Sequence, residues 1–109
     1  MSPAMFHVLV ALAETDKHGY AILKDVVRLT DGAVRLSAGT LYGILRRLVS
    51  EGMVAETEER PAPELDDERR RYYRLTEFGR RVARAEAERL EEMIALARAK
   101  HLLDPQRSS

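Results

Sequence analysis

The stretch Ser37–Ser50 holds the densest set of groups able to bind an anion. Ser37, Thr40 and Ser50 supply hydroxyls, Gly39 and Gly43 leave backbone uncovered, and Arg46 and Arg47 supply guanidinium groups. Ser37 suits a helix N-cap. Leu41, Ile44, Leu45 and Leu48 follow at i, i+3, i+4, i+7, which predicts one apolar helix face. The opposite face then carries Ser37, Gly39, Thr40, Gly43, Arg47 and Ser50, with Tyr42 and Arg46 on its flanks. Backbone N–H groups and hydroxyls at a helix start bind phosphate, and arginine reaches phosphate or guanine. Each interior glycine costs up to ~1 kcal/mol relative to alanine. Close approach of another backbone is a physical reason to carry two. The chemistry is therefore non-covalent recognition of a polyanion. A plain amphipathic surface helix is the competing reading, and the glycines weigh against it.

A second cationic set follows at Arg69, Arg70, Arg71, Arg74, Arg80, Arg81 and Arg84. It comes directly after the acids Glu56, Glu58, Glu59, Glu64, Asp66, Asp67 and Glu68. The equal totals of 18 basic and 18 acidic residues thus conceal a segregated pattern, and a local field rather than the total attracts phosphate. Arg70 and Arg71 are placed to meet the backbone of a duplex, whereas the acids between the strands would repel it. Equally, these arginines can neutralise acids across the hairpin, such as Glu56 and Glu58.

The elements that position these groups are legible from caps, periodicity and breakers. Ser2-Pro3 starts a helix carrying Met5, Val8, Leu9 and Leu12. Thr15–Gly19 is a polar break. A second helix runs from His18 or Gly19 to Thr30 and ends at Asp31-Gly32. The Ser37 helix ends at Gly52. Met53–Glu59 and Arg69–Leu75 are strands, with Tyr73 and Leu75 expected to face the core by alternation. Arg60–Glu68 is read as a flexible hairpin tip. Thr76 caps a final helix reaching about Leu103, stopped by Asp104-Pro105. The fold class is mainly α with a small β-hairpin wing. It comprises a winged helix-turn-helix domain over residues 1–75, one long C-terminal dimerisation helix over 76–104, and a disordered tail over 105–109.

That final helix carries Ala83, Ala87, Leu90, Ile94, Ala97 and His101 at heptad spacing, widened by Met93, Leu96, Leu102 and Leu103. Packing on its own domain is one use of such a seam. A helix on the order of 40 Å long would overhang so small a core, which favours a second copy of the chain. A two-fold dimer sets two reading helices on one duplex and suits a palindromic operator.

Other chemistries lack their residues. The absence of cysteine excludes disulfides, cysteine zinc sites and a cysteine nucleophile. His7, His18 and His101 share no ligand spacing, so no metal is expected. There is no Gly-rich phosphate loop and no serine in a nucleophile-elbow context, so neither a catalytic residue nor a cofactor is expected. No leader pattern and no apolar run of ~20 residues is present, which implies cytoplasmic residence without a membrane partner.

Three segments carry a family likeness: HGYAI (His18–Ile22), SAGTLYGILRRLVSEGMV (Ser37–Val54) and RRRYYRLTEFGRR (Arg69–Arg81). Together they resemble the PadR family of bacterial transcriptional regulators, over roughly residues 3–81, and the length is similar to the family's short subgroup with one C-terminal helix. The resemblance implies a homodimeric repressor that binds double-stranded DNA at an inverted repeat, often released by a small aromatic or lipophilic effector. It implies that Ser37, Ala38, Gly39, Thr40 and Tyr42 open the reading helix at the DNA, with Tyr20 a phosphate contact from the preceding helix. Members usually carry proline after that tyrosine; Gly43 stands there in this chain. An effector pocket between subunits could use Met5, Phe6 and Met93, since methionine adapts to varied ligands. Core packing accounts for the same three residues. A winged-helix module that binds a ligand or protein and not DNA is the alternative function.

Overall fold

The computed structural model describes residues 1–57 and 71–104. Among these residues four helices and three short strands follow in the order α1 (Pro3–Ala11), β1 (Lys17–His18), α2 (Gly19–Leu29), α3 (Ala38–Ser50), β2 (Val54–Thr57), β3 (Tyr72–Leu75) and α4 (Glu77–Ala99). Each helix starts at a side-chain cap that accepts a backbone N–H three residues on. Ser2 accepts from Met5, His18 from Ala21, Ser37 from Thr40 and Thr76 from Gly79, at 2.9–3.2 Å. Such caps satisfy donors that a helix start leaves unpaired.

The core forms where α1, α2 and α3 converge. Val8, Leu9, Ile22, Leu41, Leu45 and Leu48 are fully buried, and Val54 and Tyr73 close it from the sheet. Ile44 and Leu75 are partly buried against it. The predicted apolar stripe of α3 is therefore its packed face.

The sheet has three antiparallel strands in the order β1-β3-β2, so the hairpin gains a strand from the segment read as a polar break. Two residues are too few to show alternation. Their pairing is set by partners far along the chain: Lys17 faces Tyr73 and His18 faces Tyr72. Two charge contacts hold this junction. The Lys17 ammonium meets both the Ala11 carbonyl and the Asp25 carboxylate. Arg74 binds Asp16 through two nitrogens, at 3.0 and 3.1 Å. Tyr72 is buried along with Tyr73, contrary to simple alternation. The added strand explains it, because the His18 ring packs edge-on against Tyr72 at 5.5 Å.

β2 pairs β3 from Val54–Leu75 to Thr57–Tyr72. The expected strand ends at Glu58, Glu59, Arg69 and Arg70, the tip 60–68 and the tail 105–109 lie outside the described residues. Beyond β3, Gly79 locks α4 to the sheet root. A Cβ there would overlap the Met53 carbonyl oxygen and sit 2.8 Å from Leu75. Arg80 adds a 2.8 Å bond to the Ala13 carbonyl.

α4 ends at Ala99, earlier than the predicted Leu103. Leu102 N–H bonds the Ala97 carbonyl and His101 N–H bonds the Arg98 carbonyl, with His101 at φ 64°. This is a Schellman close, the same device that ends α3 at Gly52, φ 79°. Histidine is among the side chains that enter the left-handed region most readily, yet it gives a far weaker stop signal than glycine. His101 therefore leaves the helical seam predicted for it.

Candidate nucleic-acid interface

Ser37 sets the start of α3. Its Oγ accepts the Thr40 N–H at 3.1 Å and donates to the Thr40 hydroxyl at 2.9 Å. The Thr40 side chain is exposed beside the cap. The N–H groups of Ala38 and Gly39 have no acceptor among the described residues. The helix start thus offers two backbone donors and a hydroxyl on the positive end of its dipole.

The outward face of α3 is open. A Cβ at Gly39 would meet nothing within 4 Å, and one at Gly43 only Arg46 Nη2 at 3.8 Å, an ordinary contact. The chain's own packing requires neither glycine. Arg46 is exposed and has no carboxylate partner among the described residues. Arg47 lies 3.3 Å from Glu51 one turn on, but its side chain is 67% exposed. An exposed pair of this kind is held by ~1 kcal/mol or less and yields readily to a phosphate.

Tyr42 makes a contact within the fold. Its ring lies over Gly19, where a Cβ would come within 2.8 Å of the ring carbon Cζ. This contact fixes the start of α2 against the flank of α3. Tyr20, in the first turn of α2, is exposed, and the Lys24 ammonium stands 4.9 Å from its ring centre. Tyr20, Ser37, Ala38, Gly39, Thr40, Tyr42, Gly43, Arg46 and Arg47 thus all lie on α2 and α3 or at the cap between them.

The wing is different. Arg71 reaches across to Glu56, with Nη1 at 3.3 and 3.4 Å from the two carboxylate oxygens. Arg70 lies outside the described residues. Tyr73 at the strand centre stays a neutral phenol, because burial pushes its pKa above 10.0 and Glu56 adds to the effect. At the α2 side, partial burial works against the charge of Asp25, but Lys17 and Arg28 outweigh it and hold the carboxyl below the usual 3.8.

The sequence reading missed the Lys17–Asp25 and Arg74–Asp16 pairs. Their only signal was opposite charge on either side of a break, which carries no register. No group of three or more His, Asp or Glu among the described residues could hold a metal ion, and no described helix is long and apolar enough to cross a membrane.

Three converging helices, the third exposing a polar face, followed by a sheet that ends in a wing, define a winged helix-turn-helix protein. Residues 8–85 match the model of the transcriptional regulator PadR-like family. The chain is 33% identical over 87 residues to the transcriptional regulator Rv3488 of Mycobacterium tuberculosis, covering 80% of this chain and 75% of that protein. A PadR family regulator from Clostridium difficile shares the fold at a TM-score of 0.74 and 23% identity, over 90% of this chain and 97% of that one. Bordetella bronchiseptica BpsR, whose DNA binding is regulated by 6-hydroxynicotinic acid, is similar at a TM-score of 0.63 and 26% identity, over 87% of this chain and 59% of that one. The chain belongs to the PadR-like family of transcriptional regulators. Its family is one of regulators and not of enzymes.

Proposed function

We propose that the protein is a cytoplasmic repressor that binds an inverted repeat in double-stranded DNA as a homodimer. The observation that carries this reading is the open face of α3. Among the described residues its two glycines serve no internal contact, its first two N–H groups have no acceptor, and Arg46 has no carboxylate partner. Such a face lets a helix sit deep in the major groove with its start at the phosphates. Residues 1–75 form the DNA-binding part, with Arg70 and Arg71 at the edge of the contact.

The dimer rests on α4. Gly79 is its one buried residue among those described, so the long remainder of the helix presents itself to solvent. Met93, Ile94 and Leu96 are each at least 45% exposed, and Val10 on α1 is 42% exposed. Ala87, Leu90 and Ala97 complete that stripe. Ala83 packs against the core of its own domain, at the root of the seam. A small effector between the subunits, against Met5, Phe6 and Met93, would release the DNA. The relative whose DNA binding responds to 6-hydroxynicotinic acid supports that part of the reading.

Selection of bound genomic fragments, followed by sequencing, tests the proposal. One enriched inverted repeat is expected. A stable dimer that enriches no sequence would assign the fold to ligand or protein binding instead.

A further inference from the structure

A groove of about 410 Å³ lies between α2 and the loop leading to α3, away from the α4 seam. Leu23, Val27 and Leu36 line it with hydrocarbon, and each is only partly buried. Lys24, Arg28 and Arg35 stand around it, and no carboxylate does. Arg28 is tied to Asp25 at 3.3 Å. Lys24 and Arg35 have no ion-pair partner among the described residues. Single cationic side chains often lie over apolar surface with their heads in water. Arg35 and Lys24, the latter 4.9 Å from the Tyr20 ring centre, stand beside an apolar patch that is only partly covered, with no carboxylate in its lining.

We propose that this groove binds a small amphipathic organic anion. An aromatic or alkyl body would rest on Leu23, Val27 and Leu36, and a single carboxylate-like group would be held by Arg35 and Lys24. Both halves of the site are then satisfied together. A duplex backbone would use the cations and offer nothing to the apolar floor, so the organic anion fits better. Leu36 directly precedes Ser37, the cap of α3. An occupant therefore bears on the start of that helix. This consequence for DNA rests on the repressor reading, whereas the binding itself does not.

Fluorescence titration with two probes tests the site: 1-anilinonaphthalene-8-sulfonate and its uncharged counterpart N-phenyl-1-naphthylamine. The double variant Lys24→Gln, Arg35→Gln changes only exposed side chains. It should weaken the sulfonate probe by roughly tenfold and leave the neutral probe within about twofold. Amide chemical-shift changes with the sulfonate should centre on residues 23–36. Equal affinity of the sulfonate for wild type and variant would overturn the proposal, as would shifts centred on α4. A variant that loses affinity for duplex DNA while keeping the sulfonate probe would also overturn it, and would assign both cations to phosphate.

Discussion

The outward face of α3 and the wing strand β3 both carry arginine, but their neighbours hold these cations differently. On α3, Arg46 has no partner among the described residues and Arg47 holds only an exposed acid one turn on. On β3, Arg74 is bound through two nitrogens by Asp16, and just before the strand Arg71 meets Glu56 across the hairpin. The Arg74 guanidinium ties the sheet to the segment before β1, whereas the exposed Arg71 pair is as loosely held as that of Arg47. Glycines divide in the same way. Gly79 is required by the chain, because the Met53 carbonyl fills the place of its side chain. Gly39 and Gly43 border open space. Residue type alone does not show whether a group serves the fold or a partner. What its neighbours leave free does.

The largest expected effect sets the scale for that division. Gly79→Ala forces a methyl into backbone and should destabilise the protein by on the order of 3 kcal/mol, read as a fall in the urea midpoint. Gly43→Leu should keep or slightly raise that midpoint, since leucine favours helix. It should nonetheless weaken operator binding by roughly a hundredfold, because a leucine would hold α3 out of the groove. If Gly43→Leu binds as tightly as wild type, the open face has no partner and the contrast fails.

Arginine substitutions sharpen the comparison at smaller amplitude. Arg46→Ala should weaken DNA binding about tenfold and, if it meets a phosphate, lower the salt slope by about one. Arg71→Ala should cost only about twofold in a gel-shift titration, since its charge is already partly answered by Glu56. A loss at Arg71 larger than at Arg46 would reverse the ranking. The smallest effect is a pH dependence from Asp25. Its folded carboxyl titrates below 3.8, so the stability it adds is present above that value and is lost as pH falls through the folded pKa. Urea midpoints between pH 6 and pH 3 should therefore fall less for Asp25→Asn than for wild type.

Much of this arrangement is written locally. Caps at Ser2, Ser37 and Thr76 and the leucine period of α3 need only neighbours within one or two turns, so they are readable from the chain. The outward residues of α3 follow by subtraction from its packed face. What could not be read depends on distant partners. β1 is two residues long and exists because Tyr72 and Tyr73 lie beside it. The burial of Tyr72 follows from that same pairing. The end of α4 was misplaced because His101 fills the left-handed position usually given to glycine. Arg71 does meet Glu56, and charge order along the chain could not have given that pairing.

The absence of cysteine makes one measurement especially clean. A DNA-cleaving iron chelate can be tethered at a single introduced cysteine, either Thr40→Cys at the start of α3 or Glu88→Cys on α4. With a recovered operator fragment, the α3 tether should cut within each half-site, and the α4 tether should leave the half-sites intact. Cutting from α4 alone, with none from α3, would contradict the assignment of the reading surface to α3.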